Sequence, residues 1–132
     1  MKTNEFQFEK LHVYAMAREL VKEVYFLQKS FPSDERYALS SQVRRSITSV
    51  VANIAEGNGR ASNKDYAHFL AIARGSLYET ITQIQIAEDL GYIDKHDNLD
   101  QLAADVGRML TSLLKKYGAI HSTPTPTSPL YP

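Results

Sequence analysis

The 132-residue chain contains no cysteine, which excludes disulfides and thiolate metal sites. It has no apolar run approaching the roughly 18 residues that a membrane-crossing helix needs. Its opening, MKTNEFQFEK, lacks the apolar core of a signal peptide, so a soluble, cytoplasmic protein is expected. Nor does charge of one sign dominate, because 15 basic and 15 acidic residues cancel. A monomeric nucleic-acid binder is more often basic overall, so bulk charge counts mildly against that role unless charge is segregated. No strand pattern, internal repeat or second domain is legible.

What is present is an ordinary globular composition, 43% hydrophobic and 23% charged, on a length that suits one core. The spacing predicts four helices. The first runs from about Phe8 to Ser30 on a stripe of Leu20, Val24, Leu27 and Phe31, with Phe8, Leu11 and Ala15 extending it backward. Phe31-Pro32-Ser33-Asp34 ends it, since the residue before proline is pushed out of the helical region. The second spans about Tyr37 to Glu56 and stops at Gly57-Asn58-Gly59, where glycine tolerates a left-handed cap.

Ser62 followed by Asp65 resembles a capping box and starts the third helix. Its face is Tyr66, Phe69, Leu70, Ala73, Leu77, Ile81 and Ile84, and it ends near Leu90-Gly91. Gly75 lies inside this helix at a cost of about 1 kcal/mol against alanine, so a neighbouring helix is expected to approach closely there. Asp94 is expected to cap the fourth helix, whose stripe is Leu99, Leu102, Val106, Leu110, Leu113 and Tyr117. The fold class is therefore all-α, an antiparallel up-down-up-down four-helix bundle over residues 1–120. Residues 121–132, rich in Pro, Thr and Ser, are expected to form a disordered tail.

The second helix carries two stripes. Leu39, Val43, Ile47, Val50 and Ile54 form an apolar face, and Gln42, Arg45, Ser49, Asn53 and Glu56 form a polar stripe beside it. Amides, a hydroxyl, an arginine and a carboxylate are not the Lys/Glu mixture of a solvated face. An exposed face poor in lysine and a buried or interfacial hydrogen-bond network both fit that composition. In a hairpin turning near Arg60, Glu79 faces the Gln42–Arg45 region. An Arg45–Glu79 ion pair is expected there, completing a structural polar network.

These residues also carry a likeness. Phe31-Pro32, Glu35, Leu39, Gln42, Arg44-Arg45, Ser49, Asn53-Ile54-Ala55-Glu56-Gly57 and Arg60 recur in a pattern with Ala73, Gly75-Ser76-Leu77, Glu79 and Leu90-Gly91-Tyr92. In this pattern the chain resembles the four-helix-bundle family of 23S rRNA-intervening-sequence proteins, from about Phe6 to about Tyr117. The resemblance implies a small bacterial cytoplasmic bundle, usually a homopentamer. Some relatives are encoded inside rRNA intervening sequences, and one is the accessory variability protein of diversity-generating retroelements. No settled activity comes with it.

Catalytic and metal chemistry is sparse. A di-iron bundle needs Glu-x-x-His on two helices. Glu9-x-x-His12 fits that pattern and Asp65-x-x-His68 half fits, but Asp65 and His68 fall off the inward face. Gly57-Asn58-Gly59-Arg60 lacks the strand and GK[ST] of a phosphate loop, although Gly59 and Arg60 could meet an anion near the third helix's start. Catalysis would need Arg45, Glu56 and Glu79 around one pocket. No catalytic residue, metal or cofactor is assigned.

The expected function is that of a non-enzymatic oligomer binding RNA or DNA, or a nucleic-acid-handling protein, without a membrane role. Arg44, Arg60, Lys64, Lys115 and Lys116 are the expected phosphate contacts, with Arg44 facing outward more freely than Arg45. All but Arg44 converge on one rim. Little aromatic-plus-basic interleaving is visible, so sequence-insensitive phosphate contact is the expected mode. The alternative is a pure protein-interaction scaffold.

Overall fold

Four helices, α1 (His12–Gln28), α2 (Leu39–Asn58), α3 (Asn63–Asp89) and α4 (Asp97–Tyr117), make up nearly all of the computed structural model, which describes residues 6–118. Two short 3₁₀ turns, Gln7–Lys10 and Ser33–Glu35, precede α1 and α2. Each helix packs on its chain neighbour, α1 closes against α4, and the diagonal pairs do not approach one another. This is the antiparallel up-down-up-down bundle, and α2–α3 is its most extensive pairing. Among the described residues no helix is long and apolar enough to cross a membrane. The tail at 121–132 lies outside the described residues.

The apolar stripes meet in one core. Leu20 and Val24 from α1, Val43, Ile47, Val50 and Ile54 from α2, Leu70 and Leu77 from α3, and Val106 and Leu110 from α4 are almost completely buried. Burying each such side chain contributes on the order of 1.5–3 kcal/mol before conformational entropy is set against it.

Each end of the bundle is pinned by aromatic contacts. At one end the rings of Tyr66 and Tyr117 lie 4.7 Å apart, joining the start of α3 to the end of α4. At the other, Phe31 and Tyr92 lie 5.8 Å apart, and the Tyr92 hydroxyl donates to Glu35 Oε2 at 2.7 Å. Glu35 Oε1 also accepts from the Leu39 backbone N–H at 3.3 Å, at the start of α2. One carboxylate thus ties both loops at this end together. Burial raises the pKa of Tyr66; for Tyr92 the hydrogen bond to Glu35 is the first cause of a raised value, followed by burial.

Several local expectations are corrected. The α1 pattern does not run back to Phe8. Leu11 is extended (φ −76°, ψ 128°), and Phe8 lies in the 3₁₀ turn, its ring 5.5 Å from Phe6 and 5.0 Å from Tyr14. The Glu9 carboxylate accepts from the Phe6 N–H at 3.0 Å, which closes that turn separately. With the helix restarting at His12, Ala17 and Val13 continue the stripe below Leu20, and Ala15 is exposed.

At the other end of the α1–α2 connection, α2 begins at Leu39 rather than Tyr37, which is 87% exposed. α2 does stop at Gly57-Asn58-Gly59, with Gly59 as its C-cap, but that cap is not left-handed and Gly57 is not part of it. Gly57 is buried inside the helix, and Gly59 after it has φ −82°, an ordinary right-handed value. Ser62 does cap α3, accepting from Asp65 N–H at 3.1 Å. Asp94 does not cap α4, because that helix starts three residues later, with Asp97 and Asp100 in its first turn. Finally, Gly75 is exposed and a Cβ there would meet nothing within 4 Å, so no neighbouring helix of the same chain compensates it.

Candidate functional site

The polar stripe of α2 faces α3 along one edge of the bundle. Gln42, Arg45, Ser46, Ser49, Ser76 and Glu79 line a groove of about 500 Å³ between the two helices. Ser49 and Ser76 hydroxyls bridge it at 3.0 Å, and Asn53 Nδ2 donates to the Ser49 carbonyl at 2.8 Å and to its hydroxyl at 3.0 Å. The stripe therefore splits in character. Ser49 and Asn53 are half-buried and bonded, whereas Gln42, Arg45 and Glu56 are exposed.

The expected Arg45–Glu79 ion pair is absent from the described residues. Both side chains reach the same groove, yet Glu79 Oε2 instead accepts from Gln83 Nε2 at 3.2 Å. Beneath them lies a network that the spacing did not single out. Ser46, Thr80 and Gln83 are buried, with Ser46 Oγ 2.6 Å from Thr80 Oγ1 and 2.9 Å from Gln83 Oε1. With one hydroxyl proton each, Thr80 can donate to Ser46, Ser46 to Gln83, and Gln83 to Glu79, so buried polarity is led out to a carboxylate at the groove mouth. A signal was available. Ser46 sits between Val43 and Val50 on the apolar side, and Thr80 and Gln83 follow Leu77 by three and six.

The cations distribute unequally. Arg44 is half-buried and donates through Nη1 to Gln28 Oε1 at 2.9 Å, tying α2 to the end of α1. It is thus less free than Arg45, the reverse of the expectation, because α1 lies over that side of α2. Arg60 pairs with Glu56 Oε2 at 2.7 Å, and its guanidinium lies 4.6 Å from the centre of the Phe69 ring. An exposed pair of this kind contributes little stability but fixes where the guanidinium points. Lys64, Lys115 and Lys116 are exposed and take part in no ion pair among the described residues.

The Tyr66–Tyr117 contact shows that Arg60, Lys64, Lys115 and Lys116 share one end, as expected. Among the described residues the accompanying carboxylates there are Glu56 and Asp65, with Glu9 and Lys10 offsetting each other. The far end is the reverse. Its loops and helix ends, residues 29–38 and 88–100, carry Asp34, Glu35, Glu88, Asp89, Asp94, Asp97 and Asp100 against Lys29, Arg36 and Lys95. A chain of zero net charge is thus polar along its axis.

Metal chemistry gains no geometry. His12, Asp65 and His68 are exposed on helix starts, and among the described residues no three His, Asp or Glu side chains gather to hold an ion. Glu56 is spent on Arg60 and does not line the groove that Arg45 and Glu79 share.

The profile of the 23S rRNA-intervening sequence proteins matches residues 9–112. The chain belongs to that family. A crystal structure of a protein of unknown function from the S23 ribosomal protein family of Bacteroides thetaiotaomicron superposes with a TM-score of 0.71 at 24% identity, covering 78% of this chain and 98% of that one. At that identity the likeness shows the shared bundle fold. No curated protein matches the chain in sequence. The matched span of this family member takes in the groove and Arg60 and Lys64, and it stops before Lys115 and Lys116.

Proposed function

We propose that the protein is a non-enzymatic homo-oligomeric adaptor of the bacterial cytoplasm that holds RNA or DNA by its phosphates, alone or with a nucleic-acid-handling protein. The observation that carries this is the charge polarity. Arg60, Lys64, Lys115 and Lys116 crowd one end of a net-neutral bundle, and three of the four have no carboxylate partner among the described residues. A ring of copies sharing an axis repeats that patch around it, so a neutral protomer builds a strongly positive rim. Five copies is the number the family resemblance implies, and the reading adopts it.

The half-satisfied groove between α2 and α3 supports self-association. Arg45 and Glu79 stand at its mouth without pairing each other, and a second copy presenting the same two groups would satisfy both. A scaffold that only assembles is the second reading, and the groove alone favours it. The two are separated by replacing Arg60, Lys64, Lys115 and Lys116 with glutamine. Retention of RNA and DNA should fall similarly for all sequences while light scattering shows the same oligomer. Unchanged retention in that variant would overturn the rim as the contact surface.

A further inference from the structure

On the face adjoining the polar groove, α3 and α4 flank a second groove of about 470 Å³, within the size range of small-ligand sites, about 300–1,000 Å³. Its walls carry Tyr78 on α3 and Arg108 and Lys115 on α4. Tyr78 is 51% exposed. The Arg74 guanidinium lies 5.7 Å from the Tyr78 ring centre, and its Nη1 donates to Thr111 Oγ1 across the groove at 3.2 Å. Arg108 pairs with Asp105, the one carboxylate among these groups, and Lys115 has no ion-pair partner among the described residues. Three cations and one anion thus surround an exposed aromatic ring, and the small residues Ala104 and Gly107 also line the groove.

We propose that this groove holds a single-stranded stretch of nucleic acid, with a base lying on the Tyr78 ring and its phosphates on Arg74, Arg108 and Lys115. A cationic track beside an aromatic face is the chemistry that recognises single strands without regard to sequence. Charge complementarity selects the occupant, since an apolar peptide would leave the cations uncompensated. Continuity supports it as well. Lys115 belongs both to this groove and to the basic rim, so a strand leaving the groove passes directly onto Lys116 and Lys64. The sequence order hides the arrangement, because Arg74 and Tyr78 meet Arg108 and Lys115 only when α3 packs on α4. The inference rests on the nucleic-acid reading above and adds a strand-specific site to it.

The test measures anisotropy of fluorescein-labelled oligo(dT) and oligo(U), and of a DNA duplex, with the full chain at low salt. Tyr78→Ala should weaken single-strand binding about tenfold or more. Ala104→Leu, which fills the groove and removes no charge, should do the same. Both positions are exposed, so the melting temperature should hold, and duplex binding at the rim should persist. If both variants bind single strands as the unmodified protein does, the groove is overturned while the rim reading stands. If the unmodified chain binds only duplex, the groove again fails alone. If it binds neither probe, both readings fall together.

Discussion

Gly57 on α2 and Phe69 on α3 occupy a space with no room for a methyl group: a Cβ on Gly57 would lie 2.7 Å from the Phe69 Cβ and 3.1 Å from the Tyr66 ring. The glycine inside α2 is what lets the two helices close at the end where they turn. Gly75 is the opposite case, exposed and with nothing within 4 Å of a Cβ. The same substitution should therefore change sign. Gly57→Ala should destabilise the bundle by about 1–3 kcal/mol through overpacking. Gly75→Ala should stabilise it by about 0.5–1 kcal/mol through helix propensity. Urea unfolding of both variants checks this, and equal effects at the two sites would contradict the packing described.

Ser46 is the junction of the buried network, within 2.6 Å of the Thr80 hydroxyl and 2.9 Å of the Gln83 amide oxygen. Ser46→Ala should cost about 1–3 kcal/mol, because it leaves the buried Gln83 amide oxygen without its partner, while Thr80 keeps its bond to the Ser76 carbonyl. Adding Thr80→Val should cost less than the sum of the two single changes. Additive losses would show that the hydroxyls do not interact.

Much of this was legible from spacing. The four helices, the capping role of Ser62 and the shared end of Arg60, Lys64, Lys115 and Lys116 follow from period, turn chemistry and the alternation of an up-down chain. What spacing missed has physical causes. Whether Gly57 caps a helix or admits a neighbour depends on what α3 places opposite it. Arg44 and Arg45 differ by 100° on one helix, and only the position of α1 decides which is covered. The Phe8–Leu11 stretch repeats at helical intervals, yet one extended residue at Leu11 resets the phase. A buried serine such as Ser46 looks like any helix serine until its partners on α3 are known.

Stability should fall at alkaline pH. Tyr92 is raised above its ordinary value of 10.0 first by its hydrogen bond to Glu35, and Tyr66 is raised first by burial. A raised folded-state pKa means stability that is complete below the unfolded value and lost as pH rises through the folded one. Melting temperatures should hold below about pH 10 and decline above it. Tyr92→Phe and Tyr66→Phe together should make that decline shallower. An identical slope in the double variant would show that other groups govern it.

In the proposed assembly Arg45 and Glu79 act between copies. Arg45→Ala should leave the unfolding of dilute, dissociated chains within about 0.5 kcal/mol of the unmodified protein, as for an exposed residue. It should shift light-scattering mass toward the single chain. A stable oligomer in Arg45→Ala and Glu79→Ala alike would place self-association on another face.

The most direct test of the nucleic-acid role is the salt dependence of binding by the unmodified full chain. The basic rim requires affinity for RNA or DNA of any sequence that drops steeply between about 50 and 200 mM salt, with a log–log slope proportional to the phosphates neutralised. Removing single rim lysines should lower that slope stepwise. No retention of either nucleic acid at low salt would contradict the adaptor role and leave the assembling scaffold in its place.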